Sequence, residues 1–378
     1  AKRVSPEESP EEKRARFTQR RLSIPEFKNA SDRDKEGGSS GMPEPPPVRN
    51  SRKGMHRLAS FRSPQIDEDH PRSLEINPFP TALVGTFTNH GVKPDFTKPD
   101  DLASVPINQD RGLVTYPLAN DPDQMLLAVY DGHGNCGEQV SEFVCFALVD
   151  ALEKDKQLDK HPGEVLAQGL LTVDLRLRKE HRSVAYDAGT TAIVALLRKE
   201  KVYVANIGDS RCVKGVSQPD GTWAAKDLSI DHKPNSPVER ERIEEQYGGL
   251  VDVDENDVAR VISADGRNGL GMSRSVGDFK FDNVGVLSEA DVQEDDMVEE
   301  DECLILASDG VWEFIESEEA VAIVFQHRHK GATVACKELI AESARRWKEE
   351  EGDYRDDITA VVIRLKDFMD TFLGTCIN

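Results

Sequence analysis

Four apolar runs of strand length punctuate the chain, and each meets a carboxylate at one end. Leu126 to Tyr130 has the character of a strand buried on both faces and stops at Asp131, the first residue of DGHG. Lys201 to Gly208 (KVYVANIG) ends at Asp209, and Cys303 to Ser308 (CLILAS) ends at Asp309. Ile358 to Leu365 (ITAVVIRL) is instead preceded by Asp356 and Asp357. Helical spacing appears at Val140, Phe143, Val144, Ala147, Leu148 and Ala151, which predicts a helix over 138 to 152. Further helices are expected at 163 to 180, 317 to 327 and 331 to 349. A short strand is expected at Thr81 to Thr88, and Gly189 to Leu197 with Val202 to Ile207 reads as a hairpin across RKEK.

Two stretches break these periodicities. From Asp231 to Asp278 the pattern is polar and irregular, with DHKPNSP, an ERERIEEQ helix, GGLV and GLGMSRSVGD; such a segment is a candidate flap. The acidic stretch 289 to 302 reads as a loop.

A carboxylate at the mouth of a buried strand is costly to desolvate, so it caps a turn or faces a cation. A single such residue leaves both readings open, and the recurrence decides between them. If the last strand lies antiparallel to the others, its starting end sits beside their finishing ends and the carboxylates converge on one sheet edge. Convergent carboxylates repel one another unless divalent ions neutralise them. Oxygen ligands without a Cys or His cluster suit Mg²⁺ or Mn²⁺ rather than zinc.

The 378 residues allow one large domain or two small ones, and a net charge of -22 argues against nucleic acid as a ligand. Six cysteines show no metal-ligand spacing and read as reduced thiols, so a cytoplasmic or nuclear location is expected. None begins a Cys-x5-Arg loop, which removes cysteine-nucleophile phosphatases. No apolar stretch approaches the roughly 20 residues that span a bilayer. Residues 1 to 80 differ from the rest: they are poor in apolar residues, carry PEPPP, and hold 16 basic against 13 acidic residues. They read as a largely disordered arm. Within it, Ser23 (RRLSIPEF) and Ser60 (HRLASFRSP) follow arginines as basophilic kinases prefer, although Arg and Ser also coincide by chance in solvated tails.

DGHG at 131, GTTA at 189, GDSR at 208, DHKP at 231, GG near 248, SRSVGD at 273, ASDGVW at 307 and DDIT at 356 together resemble the metal-dependent Ser/Thr protein phosphatases of type 2C. The resemblance spans about residues 81 to 366, leaving 367 to 378 as a tail, and 231 to 278 falls at the flap. It implies an α+β fold: a four-layer αββα sandwich of two antiparallel sheets flanked by helices, with the metals at one end. It also implies that Asp131 bridges two ions, that the Gly132 carbonyl ligates one, and that Asp309 and Asp356 hold the other. Asp110 would act near the second ion through water, and Asp209 and Glu313 would serve a weaker third ion. His133 would protonate the leaving Ser or Thr oxygen, a role its ordinary pKa suits. Asp131 would share in catalysis through the metal-activated water.

Three positions depart from the family's pattern. Gln109 stands where an acid is usual, and Glu313 replaces the more usual Asp. Val105, Pro106 and Ile107 occupy the neighbourhood of a phosphate-binding basic residue, so Arg111 or a flap arginine becomes the candidate for that task. The expected activity is hydrolysis of phosphoserine and phosphothreonine in proteins by a monomeric enzyme. The alternative is a pseudophosphatase of the same fold that acts as a binding module, and a small-molecule phosphatase ranks below both. The intact aspartates favour the enzyme, because a binding module has no reason to keep mutually repelling carboxylates.

Overall fold

Along Gln124–Tyr130 successive side chains point to opposite faces, and neither face meets water. Met125, Leu127 and Val129 join one apolar cluster, whereas Leu126, Ala128 and Tyr130 join another. Such a strand needs a layer on each side. The structure, a computed structural model, describes residues 57–61, 80–94, 102–104 and 107–370.

Eleven strands build two antiparallel sheets. In chain order they are β1 (Arg57–Phe61), β2 (Val84–Asn89), β3 (Arg111–Tyr116), β4 (Gln124–Tyr130), β5 (Ala192–Arg198) and β6 (Lys201–Ile207). They continue with β7 (Arg211–Ser217), β8 (Trp223–Asp227), β9 (Asp291–Asp296), β10 (Asp301–Ala307) and β11 (Ile358–Arg364). The first sheet runs β1-β3-β4-β5-β6-β9 and the second β8-β7-β10-β11-β2. Side chains from both sheets, among them Leu127, Ile193, Leu304, Leu306 and Val361, form the layer between them.

Helices α1 (Gly137–Lys154) and α2 (Pro162–His181) cover the outer face of the first sheet, where Val140, Val144, Leu148, Leu166 and Leu170 meet Leu126 and Val194. After a short α3 (Pro237–Glu241) and α4 (Asp309–Trp312) come α5 (Ser317–His327) and α6 (Ala332–Glu351). These two cover the second sheet through Val321, Leu339 and Ile340 against Ile305 and Val362. The expected four-layer αββα order holds, and β11 is antiparallel to β10 as the convergence of carboxylates requires. No helix among the described residues is long and apolar enough to cross a membrane.

The structure differs from the sequence reading at five places. The acidic stretch 289 to 302 is not a loop: it supplies β9 and the start of β10. Lys201 pairs with Glu294 across β6 and β9, while Lys214 sits between Asp295 (2.7 Å) and Asp301 (2.8 Å), so charge pairing replaces apolar packing there. Within the stretch assigned to the arm, Arg57–Phe61 is a strand paired with β3; Ser60 lies in it, whereas Ser23 lies outside the described residues. Past the expected boundary at 366 the chain still packs: α7 (Leu365–Phe368) buries Phe368 in the inter-sheet layer, and Met369 follows it there. Gly189 is not part of the long hairpin: Ala188–Thr190 leaves it to pair with Gly132–Gly134 and Val276–Gly277 in a small separate sheet. The ERERIEEQ segment is α3 followed by a π-helical turn, Arg242–Gln246. Beyond it the flap carries its own three-stranded sheet and a small core of Ile243, Val251, Val261, Leu270 and Phe281.

Candidate active site

Antiparallel pairing brings the strand ends together. Asp131 follows β4, and Asp110 precedes β3, whose first residue Arg111 is the register partner of Tyr130. Asp209 lies two residues beyond β6 and Asp309 two beyond β10, while Asp356 stands two before β11, whose Ala360 pairs with Ala307. Asp110 and Asp209 are buried, and Asp131, Asp309 and Asp356 keep part of their surface open to solvent.

These side chains feel one another. Burial, then the charges of Asp110, Asp309, Asp356 and Asp209, lifts the Asp131 carboxyl well above the usual carboxylate range. Burial, then Asp209 and Asp356, lifts Asp309 likewise, against the opposing effects of Lys233 and a hydrogen bond with Asp131. Asp110 is raised to about 7 by burial and then Asp357, although Thr359 and Ser308 hydrogen-bond to it. Ser308 Oγ donates to Asp110 Oδ2 at 2.9 Å.

Among the described residues no three His, Cys, Asp or Glu side chains stand in a ready-made coordination shell. The fit to hard cations rests on other observations. Asp110 Oδ1 and Asp209 Oδ1 are buried with no hydrogen-bond partner. The donor set is all oxygen, and a gathering of like charges that raises carboxyl pKa values is what bound cations would relieve. Gly132 belongs to the same cradle: a Cβ there would lie 2.5 Å from the carbonyl oxygens of both Gln109 and Gly137.

His133 Nε2 lies 2.5 Å from Asp278 Oδ2. Burial disfavours the protonated ring, but Asp278 outweighs it and the pKa is raised. Asp357 has a different task from its neighbour: its carboxylate accepts the backbone N–H groups of Gly91 (2.5 Å) and Gln109 (2.8 Å), tying the entry of β3 to β11. Gln109 donates its side-chain amide to the Gly134 carbonyl at 2.9 Å. Glu313 is exposed at the surface end of α4.

Arg111 is unsuited to bind substrate phosphate. Its guanidinium is buried and donates to Glu142 (3.1 Å) and to the carbonyls of Asn108 and Asp110 (2.8 Å each). Two of the five flap arginines, Arg242 and Arg274, are committed to Glu239 at 2.7 and 2.8 Å. Val105 and Pro106 lie outside the described residues.

Sequence reasoning missed two members of the site. Lys233 Nζ pairs with Asp209 Oδ2 at 2.5 Å, and Asp278 pairs with His133. Both sit inside stretches singled out by pattern, DHKP and SRSVGD, but only their contacts reveal a task. Lys233 is raised in pKa: burial opposes its charge, and Asp209 and Asp309 more than restore it.

With this geometry in view, comparisons with known proteins are informative. A family model described as Protein phosphatase 2C matches residues 108–351. Probable protein phosphatase 2C 48 of Oryza sativa subsp. japonica is 34% identical over 283 residues, covering 68% of this chain and 80% of its own. Probable protein phosphatase 2C 73 of Arabidopsis thaliana is 31% identical over 282 residues, covering 68% and 74%. The serine-threonine phosphatase 2C from Toxoplasma gondii superposes with a TM-score of 0.64 at 23% identity, over 82% of this chain and 99% of its own, a likeness of fold. The extent of the family match and the identity to the plant relatives lead to one conclusion: the chain belongs to the protein phosphatase 2C family and is a protein serine/threonine phosphatase.

Proposed function

We propose that this chain hydrolyses phosphoserine and phosphothreonine in proteins at the cleft around Asp131, with Mg²⁺ or Mn²⁺ bound and His133 as general acid. The observation that carries the reading is the meeting of Asp110, Asp131, Asp209, Asp309 and Asp356, from five separate segments, in a neighbourhood that pushes the Asp131 and Asp309 carboxyls well up. Asp131, Asp309, Asp356 and the Gly132 carbonyl would hold two ions, with Asp110 acting through water. When bound, such ions lower the pKa of a coordinated water and offset charge on the phosphoryl oxygens.

The chain's own residues supply the rest. Ser308 donates to Asp110 Oδ2, while Oδ1 is left without a hydrogen-bond partner. Asp357 holds the segment before β3 in register through two backbone N–H groups. His133 stands two residues from Asp131 and brings a proton for the departing alkoxide. Lys233 already neutralises one oxygen of Asp209, and Glu313 is exposed, so Asp209 has less need of a third ion than a free carboxylate would.

Phosphate release from a phosphothreonine peptide should require Mn²⁺ or Mg²⁺ and vanish with chelator. Asp309→Asn should abolish it while the metal-free protein melts no lower than wild type, because one repelling charge is gone. Turnover that is indifferent to chelator, or unchanged in Asp309→Asn, would overturn the reading.

A further inference from the structure

Two stretches left idle by this reading, GTTA at 189 and SRSVGD at 273, meet at His133. In the small three-stranded sheet, His133 is paired with Gly189, and Gly189 with Gly277. Asp278 follows directly in left-handed backbone (φ 48°, ψ 40°), a conformation that Asp tolerates better than most residues. Its N–H donates to the Ala188 carbonyl at 2.9 Å. From there the carboxylate, whose residue is 3% exposed, reaches His133 Nε2 at 2.5 Å and accepts Ser275 Oγ at 2.7 Å. Gly189 leaves the space for this contact, since a Cβ there would collide with Asp278 Oδ2 and lie 2.5 Å from Ser275 Oγ. The other ring nitrogen, Nδ1, is buried and interacts with the Asp131 backbone only loosely, short of a well-formed hydrogen bond. A buried nitrogen so weakly bonded is costly, and a substrate oxygen would satisfy it better.

We propose that Asp278 is a positioning residue for His133: its carboxylate accepts a hydrogen bond from Nε2–H, fixes the ring's tautomer and orientation, and leaves Nδ1 to hand a proton to the departing Ser or Thr oxygen. In that step the P–O bond breaks with its electron pair on the alkoxide, which takes the Nδ1 proton, and the ring remains neutral with Nε2–H on Asp278. The proton shed by the attacking water then restores Nδ1 through solvent. The inference rests on the general-acid reading of His133.

Leaving-group dependence separates positioning from a merely structural role. A phosphothreonine peptide expels a poor leaving group that needs the proton, whereas p-nitrophenyl phosphate expels a good one that does not. Asp278→Asn should lower kcat on the peptide about 10- to 100-fold and on p-nitrophenyl phosphate less than about threefold. Gly189→Ala, which displaces the carboxylate without removing it, should show the same selectivity. The double variant His133→Ala/Asp278→Asn should be no slower than His133→Ala, because residues acting as a unit are not additive. In the metal-free protein, ¹⁵N shifts of the His133 ring should show Nε2 protonated in wild type and mixed tautomers in Asp278→Asn. Equal losses on both substrates, a gain of activity, or additive losses in the double variant would overturn the assignment. If His133→Ala itself loses no selectivity between substrates, the general-acid reading falls and this inference with it; a selective His133→Ala beside an unselective Asp278→Asn removes the inference alone.

Discussion

Asp356 and Asp357 are adjacent, identical in chemistry and divided in task. Asp357 is buried and spends both oxygens on backbone N–H groups, while Asp356 keeps solvent access beside Asp131 and Asp309. Asp357→Ala should therefore destabilise the fold by about 1–3 kcal/mol, since a buried and a half-buried N–H group lose their acceptor, and urea unfolding would read the loss. The boundaries of apolar runs pointed to Asp131, Asp209, Asp309 and Asp356 because a charged residue that ends a buried strand has few places to go. Nothing local distinguished Asp278, whose partner lies 145 residues away in sequence. Arg111 shows the reverse failure: a basic residue beside the site is turned away from it by Glu142 and two carbonyls.

At the scale of elements, the flap is clamped at its base. Glu239 on α3 accepts from Arg242, Arg274 and Ser273, and Arg274 also reaches Asp291 at 2.7 Å. Burial would raise the Glu239 carboxyl, but hydrogen bonds from Arg274, Ser273 and Arg242 prevail and pull it down to about 2. A depressed folded-state pKa means that the clamp contributes fully above the ordinary value of 4.5 and is lost as pH falls from there towards 2. Hydrogen exchange at Val251 and Val261 should thus accelerate, relative to the sheet core, between pH 5 and pH 3, because the opened flap takes up a proton there that the folded clamp still excludes. Glu239→Gln should show the faster exchange at both pH values, and a wild-type response retained in that variant would remove Glu239 from the clamp. Polar spacing marked this region as a flap, yet it hid the small core beneath, because Ile243 and Phe281 flank the segment's strands from distant turns. The acidic strand β9 escaped for a related reason: its partners are lysines on β6, β7 and β8, invisible to a hydrophobic pattern.

At the scale of the whole molecule, the inter-sheet layer holds the site together, since Asp131 and Asp309 belong to different sheets. Leu127→Ala, in the middle of that layer, should cost about 2–5 kcal/mol in urea unfolding. A loss under about 1 kcal/mol would mean that the sheets do not share one core. On the proposed reading the ions would sit between the two sheets, so Mn²⁺ should raise the thermal midpoint of wild type and leave that of Asp131→Asn nearly unchanged. The sequence by itself determined the long apolar strands and the main helices, because alternation and helical spacing are local and a strand apolar on both faces must be covered twice; the four-layer order came from the family resemblance. It also determined which carboxylates end those strands. Only the tertiary structure decided which of them meet, which are spent on backbone, and which partners serve Asp209 and His133. Those outcomes depend on strand order and on approach distances between segments far apart in the chain, and no local pattern encodes them.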